Sequence, residues 1–244
     1  MIPKILHYVW VGDQPKSEAI EARIKNWQNY LPDFEIKEWN ESNFDIDKYD
    51  YTKEAYEKKA FAFVSDLIRM WALNEFGGIY CDVDVDIVKD PRFLLNEKAF
   101  FGLEDVDSIA NGSLFGAEKN NEHIFNIFEI YESMSFDRSN IRTINEITTL
   151  YFSKIGFRMK NEYQNILGTS IYPIEYFAPV HWWNGKANIT GNTVAIHEYD
   201  SSWTKSGNNR EFKRARRLMI RYIIGIRRHD ILRLQFANIK RIFR

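Results

Sequence analysis

The run Cys81-Asp82-Val83-Asp84-Val85-Asp86 sets three carboxylates at alternate positions behind an apolar Ile79-Tyr80 entry. On a continuous strand all three would share one face. Carboxylates crowded there repel and lose hydration unless a cation neutralises them. At the carboxyl end of a strand in an open α/β sheet they would suit a hard divalent ion, Mn²⁺ or Mg²⁺, with coordination positions left for phosphate. A calcium loop counted from Asp82 requires Gly at its sixth position and Glu at its twelfth; the chain has Ile87 and Phe93, so that reading fails. Spacing alone also fits an exposed edge strand with solvated Asp.

The elements around this run must be able to present it. Residues 2–11 are rich in β-formers and read as a first strand, broken by Gly12 to Pro15. Ser17 is positioned to cap a helix to about Tyr30 that carries Ala19, Ile20, Ile24 and Trp27 on one stripe. Phe34 to Trp39 alternate apolar and polar as a second strand. A helix is predicted over about 55–76, with Phe63, Leu67, Met70, Trp71 and Leu73 inward and Gly77-Gly78 as its stop, and a strand over 79–88. Strand, helix, strand, helix, strand argues an α/β sandwich around a mainly parallel sheet. Beyond it, 99–103, 171–178 and 193–198 read as extended, 122–134 and 143–155 as helical.

The chain has 244 residues, 45% of them apolar and 16% aromatic, enough to bury a sizeable core. One cysteine excludes an intramolecular disulfide framework and a cysteine-based zinc site. The N-terminus turns polar too soon for a secretory signal, and no apolar run is long enough to span a bilayer. A cytoplasmic protein, or one peripheral on the inner face of the cell membrane, is expected. The near-neutral total hides segregation: residues 204–244 hold 13 Lys and Arg against Glu211 and Asp230 alone, a net +11, leaving −12 over 1–203. The expected organisation is therefore an acidic folded domain over 1–203 and a basic, amphipathic helical tail over 204–244. That tail suits an anionic membrane surface; its apolar side could equally pack on the body. The acidic body and the lack of a basic aromatic groove argue against nucleic acid as partner.

Ser65 to Val85, SDLIRMWALNEFGGIYCDVDV, resembles the family 32 glycosyltransferases, a group including initiating mannosyltransferases and bacterial capsular-polysaccharide transferases. The glucosyltransferase domains of large clostridial toxins share the pattern more distantly. IPKILHYVWVG and AIHEYDSSW are similar to the first strand and the C-terminal element of that group. The resemblance covers residues 2–12, 60–90 and 193–203 well, 91–192 loosely and the tail not at all.

It implies a GT-A-type, Rossmann-like nucleotide-binding sandwich using an Asp-x-Asp metal site. Carried across, Trp10 would stack on the nucleobase, and Asp66 and Arg69, three apart on one helix face, would reach ribose and donor-sugar hydroxyls. Tyr80 would touch the donor, Asp82 would hold ribose or sugar hydroxyls, and Asp84 would ligate the metal. Asp86 lies beyond the shared pattern. Asn111 would sit among donor- or acceptor-side polar groups. Ser201 would add a hydroxyl ligand and Trp203 a phosphate contact. His197 and Glu198 face opposite ways on a strand, so one of them, undecided, would complete the metal site. His7, His123, His181 and His229 carry no motif and read as structural or surface.

The implied reaction is metal-dependent transfer of a hexose from a nucleotide sugar to a saccharide acceptor, lipid-linked in polysaccharide or capsule assembly, with retention of configuration. UDP-glucose or UDP-galactose is the favoured donor, GDP-mannose the alternative. The departing phosphate oxygen would take the acceptor proton, which fits the lack of a Ser/His/Asp or Cys/His nucleophile pattern. A catalytically inert sugar-nucleotide binder would keep the same aspartates without turnover.

Overall fold

The computed structural model describes residues 1–137, 142–181 and 185–199. Its framework is a mixed sheet of eight strands. They are β1 Ile5–Val9, β2 Glu35–Trp39, β3 Gly78–Cys81, β5 Ala99–Asp105, β6 Ser108–Ala110, β7 Leu114–Ala117, β8 Gln164–Ile166 and β9 Thr169–Tyr172. The order is β2-β1-β3-β7-β5-β9-β8, with β6 paired to β5. β2, β1, β3, β5 and β9 share one direction; β7, β6 and β8 run against them. The sheet is thus mainly parallel in strand direction, as expected. The reversed β7 at its centre was not expected. A second, two-stranded sheet pairs β4 Val85–Ile87 with β10 Ala195–His197.

Apolar residues of alternate parity feed two cores, one on each face, because successive side chains of a strand point opposite ways. Val9, Tyr80, Phe101 and Phe115 join one core with helices α2 Asp50–Glu57, α3 Phe61–Phe76, α4 Glu122–Glu132 and α5 Ile144–Lys154. Leu6, Tyr8, Ile79, Cys81 and Phe100 join the other with α1 Glu18–Tyr30 and the short α6 Ile174–Phe177. Ser17 does cap α1, its hydroxyl accepting from the Ile20 N–H, and Trp27 of α1 is fully buried. α5 begins with a capping box formed by Thr143 and Glu146.

Three expected elements differ. The helix predicted from about residue 55 is two helices, interrupted where Lys59 takes a left-handed backbone (φ 52°). The strand predicted over 79–88 breaks at 82–84, where a turn closed by the Val85 N–H on the Asp82 carbonyl separates β3 from β4. The extended segment predicted over 171–178 ends at Tyr172, because Pro173 starts α6. The expected tail, 204–244, lies outside the described residues, as do Ser201 and Trp203. No helix among the described residues is long and apolar enough to cross a membrane.

Candidate functional site

α3 ends on Gly77 and Gly78, both at positive φ (66° and 112°). A side chain at Gly78 would stand 2.7 Å from the Ile5 carbonyl oxygen, so β3 approaches β1 closely only as glycine allows. β3 then runs through buried Tyr80 and Cys81 and delivers Asp82 at its carboxyl end. The break after Cys81 corrects the expectation that Asp82, Asp84 and Asp86 line one strand face. Asp82 and Asp84 instead meet His197, arriving from β10: one ligand atom from each lies within 4.8 Å of the others. His197 Nε2 stands 3.2 Å from Asp84 Oδ1. Asp86 turns away to α1, where its Oδ1 accepts from Arg23 Nε at 2.9 Å. Glu198, one residue on, is exposed and outside the cluster; its N–H closes onto the Asp84 carbonyl at 3.0 Å. Geometry therefore gathers His197 rather than Glu198 with the aspartates.

Two carboxylates and an imidazole are a chemically fitting set for a divalent cation. Burial alone would keep His197 neutral. The hydrogen bond and charge of Asp84, helped by Asp82 and Glu104, outweigh it and raise the imidazole pKa. Tyr199, at positive φ (56°), stacks on the His197 ring with centroids 3.9 Å apart.

Behind Asp82 lies a buried charged cluster. Arg69, only 4% exposed, reaches Asp66 Oδ1 and Asp82 Oδ1, each at 3.3 Å. Its remaining donors go to the Ser65 carbonyl and hydroxyl and to the Asn111 carbonyl. The guanidinium also covers the Tyr80 ring at 4.7 Å, and Tyr80 Oη donates to Asp82 Oδ1 at 2.7 Å. This is no solvent-screened surface pair. One guanidinium serves two carboxylates, and burial, opposed by Arg69, pushes the Asp66 pKa up to about 7. The Asp82 carboxyl moves up for the same reasons. Asn111, expected among donor- or acceptor-side polar groups, is wholly buried: its side-chain amide donates to Thr148 Oγ1, and its backbone carbonyl accepts from Arg69.

Gly112 carried no signal in the sequence reading. A Cβ there would stand 2.6 Å from Asp82 Oδ2, and its carbonyl accepts the Asp82 N–H at 3.2 Å. The cue was local, an Asn-Gly-Ser stretch after a strand, but nothing local says which carboxylate it faces.

β1 lies parallel to β3 with His7 opposite Tyr80, so Trp10 stands at the same sheet edge, one residue beyond the level of Asp82. It lines a cavity of about 360 Å³ with Lys16, Glu38 and Glu41. Its indole N–H donates to the Gln14 carbonyl at 2.9 Å, and the Lys16 ammonium lies 5.8 Å from the ring centroid.

A family model described as the glycosyltransferase sugar-binding region containing the DXD motif matches residues 17–101, from α1 into β5. The protein is a glycosyltransferase. That match takes in Asp66, Arg69, Asp82 and Asp84 of the transferase; Trp10, Asn111 and His197 fall outside it. Among solved structures, the PaToxG glycosyltransferase is similar at 14% identity and a TM-score of 0.50, over 63% of this chain and 68% of that one. A glycosyltransferase involved in glycosylating the major capsid of PBCV-1 is similar at 12% identity and a TM-score of 0.47, over 86% of this chain and the whole of that one. At such identity the first likeness speaks for the fold, an α/β glycosyltransferase architecture. No curated protein matches the sequence.

Proposed function

We propose that the transferase moves a hexose from a nucleoside-diphosphate sugar to a saccharide acceptor, with a divalent cation held by Asp82, Asp84 and His197. The single observation that carries this is the convergence of those three side chains, with one ligand atom of each within 4.8 Å of the others, at the carboxyl edge of the sheet. In open α/β sheets ligands collect at that edge. A bound Mn²⁺ or Mg²⁺ would supply Lewis-acid neutralisation of the diphosphate leaving group as the anomeric bond breaks. The chain's own residues do the rest. Trp10 offers an aromatic face to the base. Arg69 holds Asp82 and Asp66 in place for donor hydroxyls, and Tyr80 fixes the Asp82 oxygen that faces Arg69. Positioning the donor against the acceptor hydroxyl would lower the barrier further, by making the encounter of the two effectively intramolecular.

In this reading the donor is UDP-hexose, glucose or galactose, and the anomeric configuration is retained, both drawn from the resemblance to family 32 and toxin-type transferases. Ser201 and Trp203 would close over the phosphates from a segment outside the described residues. The tail over 204–244 would bring the site to a lipid-linked acceptor in polysaccharide assembly, by contact with anionic headgroups.

A panel of UDP- and GDP-sugars with Mn²⁺, read as nucleoside diphosphate released, tests activity and donor together. Asp84→Asn should lower the metal-dependent rate by about 10²-fold or more with the fold intact, because one carboxylate charge at the diphosphate is lost. Full turnover in that variant would end the proposal.

A further inference from the structure

The Asp82–Asp84 turn is held from outside the site. β4 has three residues and pairs only with β10 among the described strands, so the sheet alone fixes it weakly. Three successive carbonyls of the turn are nonetheless tied. Val83 O accepts from Arg23 Nη1 at 3.2 Å, Asp84 O from the Glu198 N–H at 3.0 Å, and Val85 O from Trp27 Nε1 at 2.9 Å. Arg23 and Trp27 sit four apart on α1, hence on one face, and Trp27 is fully buried. Arg23 is further anchored through Nε to Asp86, with side-chain exposures of 12% and 35%.

We propose that Arg23, Trp27 and Asp86 are positioning residues for cation binding: α1 clamps the turn so that Asp82 and Asp84 stand at ligand distance from His197. This rests on the reading of Asp82, Asp84 and His197 as the cation site. It gives the third aspartate of the run a role other than ligation. Asp86 holds the guanidinium that holds the Val83 carbonyl, and one planar fork serves both partners. A lysine offers a single point charge and serves both poorly. Supports one step removed from metal ligands typically change affinity by about 10- to 100-fold when lost.

The test is titration of the full chain with Mn²⁺ alone and with Mn²⁺ plus UDP, following free Mn²⁺ by its electron paramagnetic resonance signal, well below the unfolding temperature. Arg23→Gln and Asp86→Asn should each weaken Mn²⁺ binding by about 10-fold, and the double variant by no more than either alone, because both break one clamp. Arg23→Lys should recover part of the loss. Trp27→Phe, which keeps the ring volume but not the N–H, should weaken binding several-fold. A merely structural role would lower the melting temperature and leave Mn²⁺ affinity unchanged; that result in the two conservative variants, Asp86→Asn and Trp27→Phe, overturns the inference while the site reading stands. Failure of the unaltered protein to bind Mn²⁺, matched by Asp84→Asn, would instead remove the site reading and this inference with it.

Discussion

His7 supplies the prediction that can be worked furthest. Its ring is wholly buried between β1, β2 and the α3–β3 junction. Trp39 Nε1, which can only donate, points at Nδ1 from 3.1 Å, so Nδ1 must accept and Nε2 must carry the hydrogen, donated to the Gly77 carbonyl at 2.7 Å. A second proton on Nδ1 would set two donors face to face in a dry site. Burial, with the Lys37 charge adding to it, lowers the pKa from 6.5 to about 4. The folded pKa is depressed below the unfolded value, so between them the unfolded chain binds more protons and stability is lost as the pH is lowered. Nothing is lost above about pH 7. The loss grows to about 2 kcal/mol at pH 5 and about 3 kcal/mol near pH 4, from 1.36 kcal/mol per pH unit of difference. Asp66, whose pKa is raised to about 7, works with the opposite sign over much of that window, so the raw profile mixes the two. The difference between the unaltered protein and His7→Gln isolates the histidine, since glutamine can donate and accept but does not titrate. Urea unfolding of both at pH 7, 5 and 4 gives that difference. The expected result is a gap that shifts by about 3 kcal/mol in favour of His7→Gln from pH 7 to pH 4. A gap independent of pH would refute the assigned tautomer and its burial cost.

Gly112→Ala should preserve cooperative unfolding but lower kcat by about 10- to 100-fold. The added carbon would sit 2.6 Å from Asp82 Oδ2, and normal contact begins near 3.4 Å, so the carboxylate or the loop must yield most of an ångström. Transfer assays with a melting curve check it, and near-normal turnover would show that Asp82 has room to move. Cys81 is wholly buried and burial raises its thiol pKa, so a thiol reagent should label it only as fast as the native protein opens. Rapid labelling of the folded chain would contradict the packing of β3.

Local sequence specified much of the framework because its causes are local. Ser17 and Thr143 cap helices through their own hydroxyls, and the α3 stripe and the Gly77-Gly78 stop mark that helix within one stretch of chain. The Ser-Asp-x-x-Arg spacing put Asp66 and Arg69 on one helix face, where the structure has them. The β6–β7 segment escaped notice, since Leu114–Ala117 is four residues with two small side chains and little alternation to read. The run of aspartates was legible as chemistry but misread as geometry. Alternation in the letters implied one strand face, whereas hydrogen bonds from α1 and β10 bend the chain at 82–84 and divide the three carboxylates between two tasks.

The sequence by itself determined the residue types that can hold a cation and a diphosphate, the α/β order of the first ninety residues, and the charge contrast between body and tail. The tertiary structure alone decided that His197, 113 positions beyond Asp84, closes the triad, that Arg69 is shared by two buried carboxylates, and that Gly112 gives Asp82 its space. The physical reason is range. Capping, periodicity and turn chemistry act over a few residues, whereas ligand convergence and burial depend on which strands the packed sheet places side by side.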